Sequence, residues 1–277
     1  MSVVPRMNRL FAADRKCVAL AIDHAQFNEV HLLDGVEDID ALLARVARSK
    51  VDAILLSLGN AMRLQKLQLD QKPALILRCD VTNVYSSPCP SYGFSQMIEN
   101  PVEQALALDA AAVLLNFFLI SDDPLVYHHC IENVCKIKVD CERFGMPLIL
   151  EPLILERDAE GGAYGICGDL DRVRALTRQV VELGAHIVKS DPTDSPESYQ
   201  KVVEVAGGVP LLPRGGGKVG SEDILERTHQ LISGGASGVV YGRNIFQDPN
   251  IDGMINAIHS LVHGGESVEG ARDFLAG

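Results

Sequence analysis

Eight apolar runs punctuate this chain: CVALAI (17–22), DAILLS (52–57), ALILR (74–78), AAVLLN (111–116), PLILE (147–151), AHIVK (185–189), PLLPR (210–214) and GVVYG (238–242). Each run is rich in Val, Ile, Leu and Ala and does not alternate with polar residues. Continuous apolar runs of this length are typical of parallel strands buried on both faces. The runs therefore predict eight parallel strands.

Segments with helical spacing separate these runs. Apolar side chains at positions 39, 42, 43 and 46 predict a helix over 39–47, and similar patterns recur over 170–183 and 221–231. Eight strand–helix units in 277 residues predict an α/β fold, a single (β/α)8 TIM barrel. We expect this one domain to span residues 1–277, with residues 1–16 as an N-terminal extension.

The composition excludes several classes of protein. With 47% hydrophobic and 22% charged residues, the chain is too apolar to be disordered. Its apolar runs end well before the roughly 20 residues that a bilayer requires, so we expect no membrane span. The 25 Lys and Arg against 37 Asp and Glu give a net charge of −12, which argues against nucleic acid or an anionic membrane as a partner.

The cysteines and the N-terminus predict a cytoplasmic protein. The seven cysteines are odd in number and include no C-x-x-C, and residues 1–16 lack the apolar core of a signal peptide. His128, His129, Cys130 and Cys135 lie close in sequence, but their spacing matches no standard zinc pattern and the segment 125–144 predicts an amphipathic helix. We expect neither a metal nor a cofactor.

Side chains that carry chemistry follow the predicted strands. In a TIM barrel the active site lies at the carboxyl ends of the strands. The residues at these ends are Asp23 and His24 after the first run, Arg78 after the third, Glu151 after the fifth, Lys189 after the sixth, Arg214, Gly215, Gly216 and Gly217 after the seventh, and Gly242 and Arg243 after the eighth. They predict a ring of polar and ionisable groups at one mouth of the barrel.

Lys189 is the strongest candidate for a nucleophile. Its neighbours along the run Ala-His-Ile-Val-Lys are mostly apolar, and poor hydration favours the neutral amine that attacks a carbonyl to form a Schiff base. Position alone leaves open a second role, in which Lys189 reaches solvent or neutralises Asp191.

Two loops predict a phosphate site. The segments 211–220 and 239–247 read LLPRGGGKVG and VVYGRNIFQ, at the two positions where TIM barrels usually bind phosphate. Three consecutive glycines allow backbone N–H groups to approach an anion closely, and Gly242 with Arg243 supplies further donors. Because both expected positions carry Gly and a cation, the signal is stronger than one Gly-rich turn.

Four strings of sequence resemble the signatures of one enzyme family. They are AIDHAQF (21–27), HIVKSDPT (186–193), RGGGK (214–218) and YGRNIFQDP (241–249). They look like those of class I, Schiff-base aldolases of the DeoC/FbaB-like group. This group includes archaeal-type fructose-bisphosphate aldolase, the aminodideoxyheptulosonate synthases and the thiolase that acts on phosphorylated autoinducer-2. The resemblance spans about residues 8–260.

The resemblance implies roles for individual residues. Lys189 matches the family's Schiff-base lysine, and Asp23 matches an aspartate that positions substrate hydroxyls and shuttles protons. The residues that match the phosphate cradle are Gly215, Gly216, Gly242 and Arg243. Family members commonly assemble as rings, so the resemblance also implies a homo-oligomer, a pentamer or decamer, acting on a small phosphorylated sugar.

The chain departs from the family after the fifth strand. Fructose-bisphosphate aldolases of this group carry a Tyr-Pro-Arg-Gly string there, and its tyrosine is the main proton donor. Here Leu153 stands about where that tyrosine falls, and leucine cannot transfer a proton. The string LEPLI (150–154) looks more like tagatose-bisphosphate and sulfofructose-phosphate aldolases, in which a strand-five glutamate lies near the lysine.

Several residues at the mouth keep two interpretations. Glu151 is either catalytic or a carboxylate that only pairs with Lys189 or Arg78, and Tyr164, in the Gly-rich loop 161–168, is another candidate proton donor. Either one of Arg78 and Arg214 binds a second anionic group of the substrate, or the two arginines pair with Asp80 and Asp23. His24 either orients Asp23 or is a buried, hydrogen-bonded histidine.

The expected reaction is the aldol cleavage or formation of a C–C bond in a phosphorylated ketose. Lys189 forms an iminium that accepts the electrons of the broken bond, and a small ketone such as dihydroxyacetone phosphate is released. The alternative is an acyl-transferring thiolase or transaldolase-like enzyme that uses the same lysine. A metal-dependent aldolase using His24, His128 or His129, and a phosphosugar sensor without activity, are weaker alternatives.

Overall fold

The computed structural model describes residues 1–158 and 162–275, which form an α/β fold. The strands are β1 Cys17–Ala21, β2 Ala53–Leu56, β3 Ala74–Arg78, β4 Asp80–Thr82, β5 Ser95–Met97, β6 Ala112–Ile120, β7 Leu148–Arg157, β8 Tyr164–Ile166, β9 Ile187–Val188 and β10 Gly238–Tyr241. The α-helices are α1 Val4–Leu10, α2 Ile39–Val46, α3 Leu58–Lys66, α4 Pro101–Ala107, α5 Pro124–Phe144, α6 Leu170–Glu182, α7 Gln200–Val205, α8 Ser221–Ser233, α9 Arg243–Phe246, α10 Ile251–His259 and α11 Val268–Arg272. Short 3-10 helices cover His24–Phe27, Val30–Leu32 and Pro196–Ser198, and a π-helical turn covers Ser260–Gly264.

Seven of the eight predicted strands form one curled parallel sheet. Its parallel strands follow the order β10, β1, β2, β3, β6, β7 and β9. Strand β8 folds back antiparallel on β7, and β4 and β5 form a separate antiparallel pair beside the sheet. Because all seven parallel strands run in one direction, their carboxyl ends gather at one edge.

The seventh predicted strand, over 210–214, is not a regular strand. It makes two isolated parallel bridges, from Leu211 to Val188 and from Arg214 to Val240. Pro210 and Pro213 lie in this run, and proline has no N–H to donate to a ladder. The segment still provides a hydrogen-bond acceptor, because the Pro213 carbonyl accepts a hydrogen bond from the Val240 N–H at 3.0 Å. The prediction of eight regular strands is therefore wrong at this position.

The two faces of the sheet carry side chains of different size. Val18 and Leu20 on β1, with Ile22 just after it, pack outward in the larger core cluster against the helices. The alternate residues face the inner cluster, where many side chains are small. Leu10 of α1 is buried in that inner cluster, so part of the predicted N-terminal extension contributes to the core.

The predicted helices are confirmed, with small shifts at their ends. Helices α2, α6 and α8 occupy the three predicted segments, and Asp169 caps α6 by accepting a hydrogen bond from the Arg172 N–H. Helix α5 buries Cys130 and exposes Cys135, so these two thiols do not converge. Among the described helices, none combines the length and apolar character needed to cross a membrane.

His263 connects the π-helical turn to the opposite end of the sheet from the predicted site. Its Nδ1 lies 2.8 Å from Asp14 Oδ2, and its Nε2 lies 3.0 Å from Asp52 Oδ2. The hydrogen bond to Asp52 raises the pKa of His263 and outweighs the opposing effect of burial, and Asp14 raises it further. His259 stacks nearby, with ring centroids 4.6 Å apart, and burial lowers the pKa of His259.

The raised pKa predicts a pH-dependent contribution to stability. A group with a raised folded pKa stabilises the fold below its unfolded pKa, and this stabilisation is lost as pH rises through the folded pKa. We expect His263→Gln to lower the free energy of unfolding by about 1–2 kcal/mol more at pH 6 than at pH 9. Urea unfolding at both pH values measures the difference. The exposed His128 on α5 provides the control His128→Gln, and an equal loss at both pH values would contradict the assignment.

Candidate active site

Four charged residues from four parallel strands meet in one buried network. Three lie at or just after strand ends, whereas Glu151 lies within β7, which continues to Arg157, beyond the predicted end at 151. Lys189 follows β9, and its Nζ lies 2.8 Å from Glu151 Oε1 on β7. Arg78, the last residue of β3, donates from Nη2 to Glu151 Oε2 and from Nε to Asp23 Oδ2, both at 2.7 Å. Each of the four residues is at most 6% exposed. The parallel sheet thus brings together Asp23, Glu151 and Lys189, the three predicted catalytic residues.

Arg78 is the centre of this network. Its Nη1 also lies 3.5 Å from Asp80 Oδ1, and Asn116 on β6 donates from Nδ2 to Asp80 Oδ2 at 2.8 Å. The structure shows the ion-pairing role predicted for Arg78. Its partners are Asp23 and Asp80, as predicted, and also Glu151. The guanidinium therefore holds the carboxylates of the site in place.

The network keeps two of its carboxylates ionised. Burial alone would raise the pKa of Asp23, but the Arg78 and Lys189 charges outweigh it and lower the pKa to about 2. The pKa of Glu151 is lowered as well, because Lys189 and Arg78 again outweigh burial. The prediction that Lys189 is a nucleophile uses only its apolar neighbours along the chain. In the structure Lys189 also faces the Glu151 carboxylate. Both carboxylates are therefore in the ionised form that can accept a proton, and the neighbouring cations weaken their basicity.

Hydrogen bonds connect the Gly215–Gly217 loop to α9, the short helix after β10. Asn244 donates from Nδ2 to the carbonyls of Gly215 and Gly217, both at 3.1 Å, and its Oδ1 accepts the Val219 N–H at 2.9 Å. Arg227 on α8 donates to the Gly215 carbonyl at 3.0 Å. The sequence predicts no role for Asn244 or Arg227, although Asn244 lies in the quoted YGRNIFQDP string at the end of the eighth predicted strand.

Gly242 allows the chain to pass very close to His24. A Cβ atom at Gly242 would lie 2.4 Å from His24 Cε1 and 3.0 Å from the Ala21 carbonyl oxygen. Burial lowers the pKa of His24 to about 4, so its ring is neutral at neutral pH. The His24 ring packs edge-on against Phe246. Its Nδ1 lies 3.7 Å from Asp23 Oδ1, close to the residue that it was predicted to orient.

Two arginines bring positive charge to the same region. Arg214 pairs with Asp191 through Nε and Nη2, at 3.0 and 2.7 Å. Within residues 1–158 and 162–275, no carboxylate lies within ion-pair distance of Arg243, whose Nε is buried without a hydrogen bond. Burial and the Arg214 charge both lower the pKa of Arg243. An anion would neutralise this excess positive charge.

One cavity joins the buried network to the glycine loops. Its lining includes the predicted residues Asp23, His24, Arg78, Glu151, Lys189, Arg214, Gly215, Gly216, Gly242 and Arg243. Leu153 and Tyr85 also line it, and sequence reasoning did not find Tyr85 because the residue lies in a loop rather than at a parallel strand end. Gly217 instead lines a neighbouring groove.

Tyr164 lies outside this cavity. It lines the neighbouring groove, and its hydroxyl accepts a hydrogen bond from Arg157 Nη2 at 2.9 Å. Gly161, the first residue of the loop predicted to carry Tyr164, lies outside the described residues.

A protein-family model matches most of this chain. The model for the DeoC/LacD family aldolases matches residues 17–248. The chain belongs to the DeoC/LacD aldolase family. The match covers the strands and both glycine loops around the cavity.

Known proteins related to this member of the DeoC/LacD aldolase family carry different names. It is 29% identical to an uncharacterized aldolase of Saccharolobus solfataricus, over 93% of each chain. It is 27% identical to 3-hydroxy-5-phosphonooxypentane-2,4-dione thiolase of Yersinia enterocolitica, over 96% of this chain and 84% of that protein. An archaeal fructose-1,6-bisphosphate aldolase, solved with its catalytic lysine covalently bound to the carbinolamine intermediate, is 26% identical with a TM-score of 0.73, over 94% of this chain and 99% of that one.

Removal of the central guanidinium should destabilise the fold strongly. In Arg78→Met, Asp23, Glu151 and Asp80 would remain buried without their shared cation, at a cost of about 3–5 kcal/mol in the free energy of unfolding. The exposed pair of Arg63 with Asp40 gives the control Arg63→Met, expected to cost about 1 kcal/mol or less. Denaturant unfolding measures both, and similar losses would contradict the central role of Arg78.

Proposed function

We propose that this protein is a class I Schiff-base aldolase that cleaves or forms a C–C bond in a phosphorylated ketose. The observation that carries the proposal is the buried Lys189–Glu151 pair, at 2.8 Å, in a cavity that also exposes glycine loops and two arginines. A lysine held against a base can be deprotonated in place, and a cationic wall opposite can hold a phosphate. Both requirements of such a reaction are met in one cavity.

The first step uses the contact between Lys189 and Glu151. Glu151 accepts a proton from the Lys189 ammonium, and the resulting amine attacks the ketone of the substrate. Loss of water from the carbinolamine then gives an iminium, which withdraws electrons from the neighbouring C–C bond. The second Glu151 oxygen keeps its hydrogen bond to Arg78 and stays in position during this step.

The cleavage step requires a base for the hydroxyl of the departing aldehyde half. We assign this role to Asp23 or Glu151, which both line the cavity with Lys189. Arg78 holds each of them through one oxygen. The second oxygen of Glu151 faces Lys189 at 2.8 Å, and the second oxygen of Asp23 lies 3.7 Å from His24 Nδ1. A fixed, desolvated carboxylate is an effective base because it needs no rearrangement to accept the proton.

The phosphate is assigned to the side of the cavity formed by Gly215, Gly216, Gly242 and Arg243. Binding there would fix the distance from phosphate to ketone and present the carbonyl carbon to Lys189. Arg214 is already paired with Asp191, so we assign it a secondary, electrostatic role in anion binding. The bridges at Leu211 and Arg214 support the inference that the parallel sheet closes as a barrel around this cavity. The ring-shaped oligomer and the cytoplasmic location stay predictions.

The alternative is acyl transfer, because a relative named as a thiolase matches almost the whole chain. The same lysine would activate the ketone, but a second substrate would accept the released fragment. Turnover that requires an added acceptor would favour the thiolase reaction, whereas release of an aldehyde without an acceptor would favour the aldolase.

Lys189→Met should abolish the covalent adduct and the reaction. Borohydride reduction in the presence of ketose phosphates or dihydroxyacetone phosphate should label Lys189 in the unmodified protein, as read by peptide mass spectrometry. The exposed Lys201 gives the control Lys201→Met, which should retain both labelling and turnover. Glu151 keeps its bond to Arg78 in Lys189→Met, so we expect the variant to fold. Normal turnover in this variant would refute the mechanism.

Arg243→Met should weaken recognition of the phosphate selectively. Loss of one charge-assisted hydrogen bond predicts a fall of about 10–100-fold in kcat/KM for a phosphorylated substrate. Adduct formation with unphosphorylated dihydroxyacetone should change much less. The half-exposed Arg272 on α11 gives the control Arg272→Met. An equal loss with both ligands would place Arg243 outside the phosphate site.

A further inference from the structure

Tyr85 is the one cavity-lining residue with a phenol, among the described residues. The chain has six tyrosines, and four of them use their hydroxyl in a hydrogen bond: Tyr127 with Gln179, Tyr164 with Arg157, Tyr199 with Ser190 and Tyr241 with Thr228. Tyr92 is exposed. Within the described residues, the half-buried Tyr85 hydroxyl makes no hydrogen bond, so it is available to a molecule in the cavity.

The local structure fixes the position of Tyr85. Its ring packs against Phe27, with centroids 4.6 Å apart, and edge-on against Phe118 at 5.9 Å. Asn83, two residues earlier, joins the two sides of the loop: its Nδ2 donates to the Tyr92 carbonyl and its Oδ1 accepts the Phe94 N–H, both at 2.8 Å. The tyrosine is therefore held by packing and by a hydrogen-bonded loop base, as a group that acts on a substrate must be.

The surroundings of the phenol suit proton transfer. Burial, and next the Glu151 charge, raise the pKa of Tyr85, so the hydroxyl retains its proton at neutral pH. Arg78 and Arg214 act in the opposite direction and would stabilise a transient phenolate. Leu153 lines the same cavity two residues after Glu151 on β7, where it supplies no proton.

We propose that Tyr85 exchanges a proton with the substrate carbon next to the Lys189 iminium. The assignment rests on the proposed function, because it requires the enamine that remains on Lys189 after cleavage. Tyr85 comes from the loop between β4 and β5 and lines the same cavity as Lys189.

The proton transfer balances within the site. The enamine's electron pair takes the Tyr85 hydroxyl proton, so a C–H bond forms, the phenol O–H bond breaks and the iminium re-forms. The phenolate then takes back the proton that Asp23 or Glu151 had removed from the substrate hydroxyl. Water hydrolyses the iminium to the ketone and leaves Lys189 as an ammonium. No further reactant is required.

The test compares exchange with adduct formation. Dihydroxyacetone phosphate is incubated with the protein in D2O, and NMR follows replacement of the proton on the carbon beside the carbonyl. Tyr85→Phe should lower this exchange about 100-fold or more, because general acid–base groups contribute factors of this size. The borohydride-reduced adduct on Lys189 should still form, which also shows that the variant folds. Tyr164→Phe and Tyr92→Phe are matched controls that should keep the exchange.

Each contrary outcome has a distinct meaning. Exchange in Tyr85→Phe within about threefold of the unmodified protein, with the adduct present, would overturn the Tyr85 assignment and leave the proposed function intact. Loss of the adduct itself in Tyr85→Phe would place the tyrosine in an earlier step and also overturn the assignment. No Lys189 adduct in the unmodified protein would overturn the proposed function and this inference with it.

Discussion

A buried arginine shared by several carboxylates is the interaction on which the site depends. Arg78 donates to Asp23 and Glu151 at 2.7 Å and lies near Asp80, and all of these side chains are almost fully buried. A buried carboxylate without a cation destabilises the folded state. The network is therefore stable only while the strands that carry these residues keep their relative positions. The ion pairs therefore connect the carboxyl ends of β1 and β3 to Glu151 within β7, and Lys189 extends the network to the end of β9.

Two parts of the cavity differ in how their charges are paired. On one side, cations and carboxylates neutralise one another around Lys189. On the other, Arg243 has no carboxylate partner among the described residues, and the glycine loop beside it is fastened by Asn244. The first side is suited to moving protons at a fixed position, and the second is suited to holding an anion. This division is what the proposed function requires of one cavity.

Residues from distant parts of the chain border the same cavity. Leu153 lies on β7, two residues from Glu151 and on the same face of the strand, where it forms an apolar part of the wall. Tyr85 reaches the cavity from a loop after β4, supported by Phe27 and Phe118. The hydroxyl that borders this cavity therefore comes from a loop and not from β7.

The sequence by itself determined the α/β class, seven of the parallel strands, the helices between them and the clustering of Asp23, Glu151 and Lys189. Continuous apolar runs and short polar endings carry that information locally, because parallel strands must end at one edge. It did not determine that the run 210–214 makes only isolated bridges, since two prolines remove donors that an apolar pattern does not reveal. Only the tertiary structure decided how the charges pair, that Asn244 and Arg227 secure the glycine loop, and that Tyr85 borders the cavity. These contacts join residues far apart in the chain, and their distances depend on packing that no local pattern encodes.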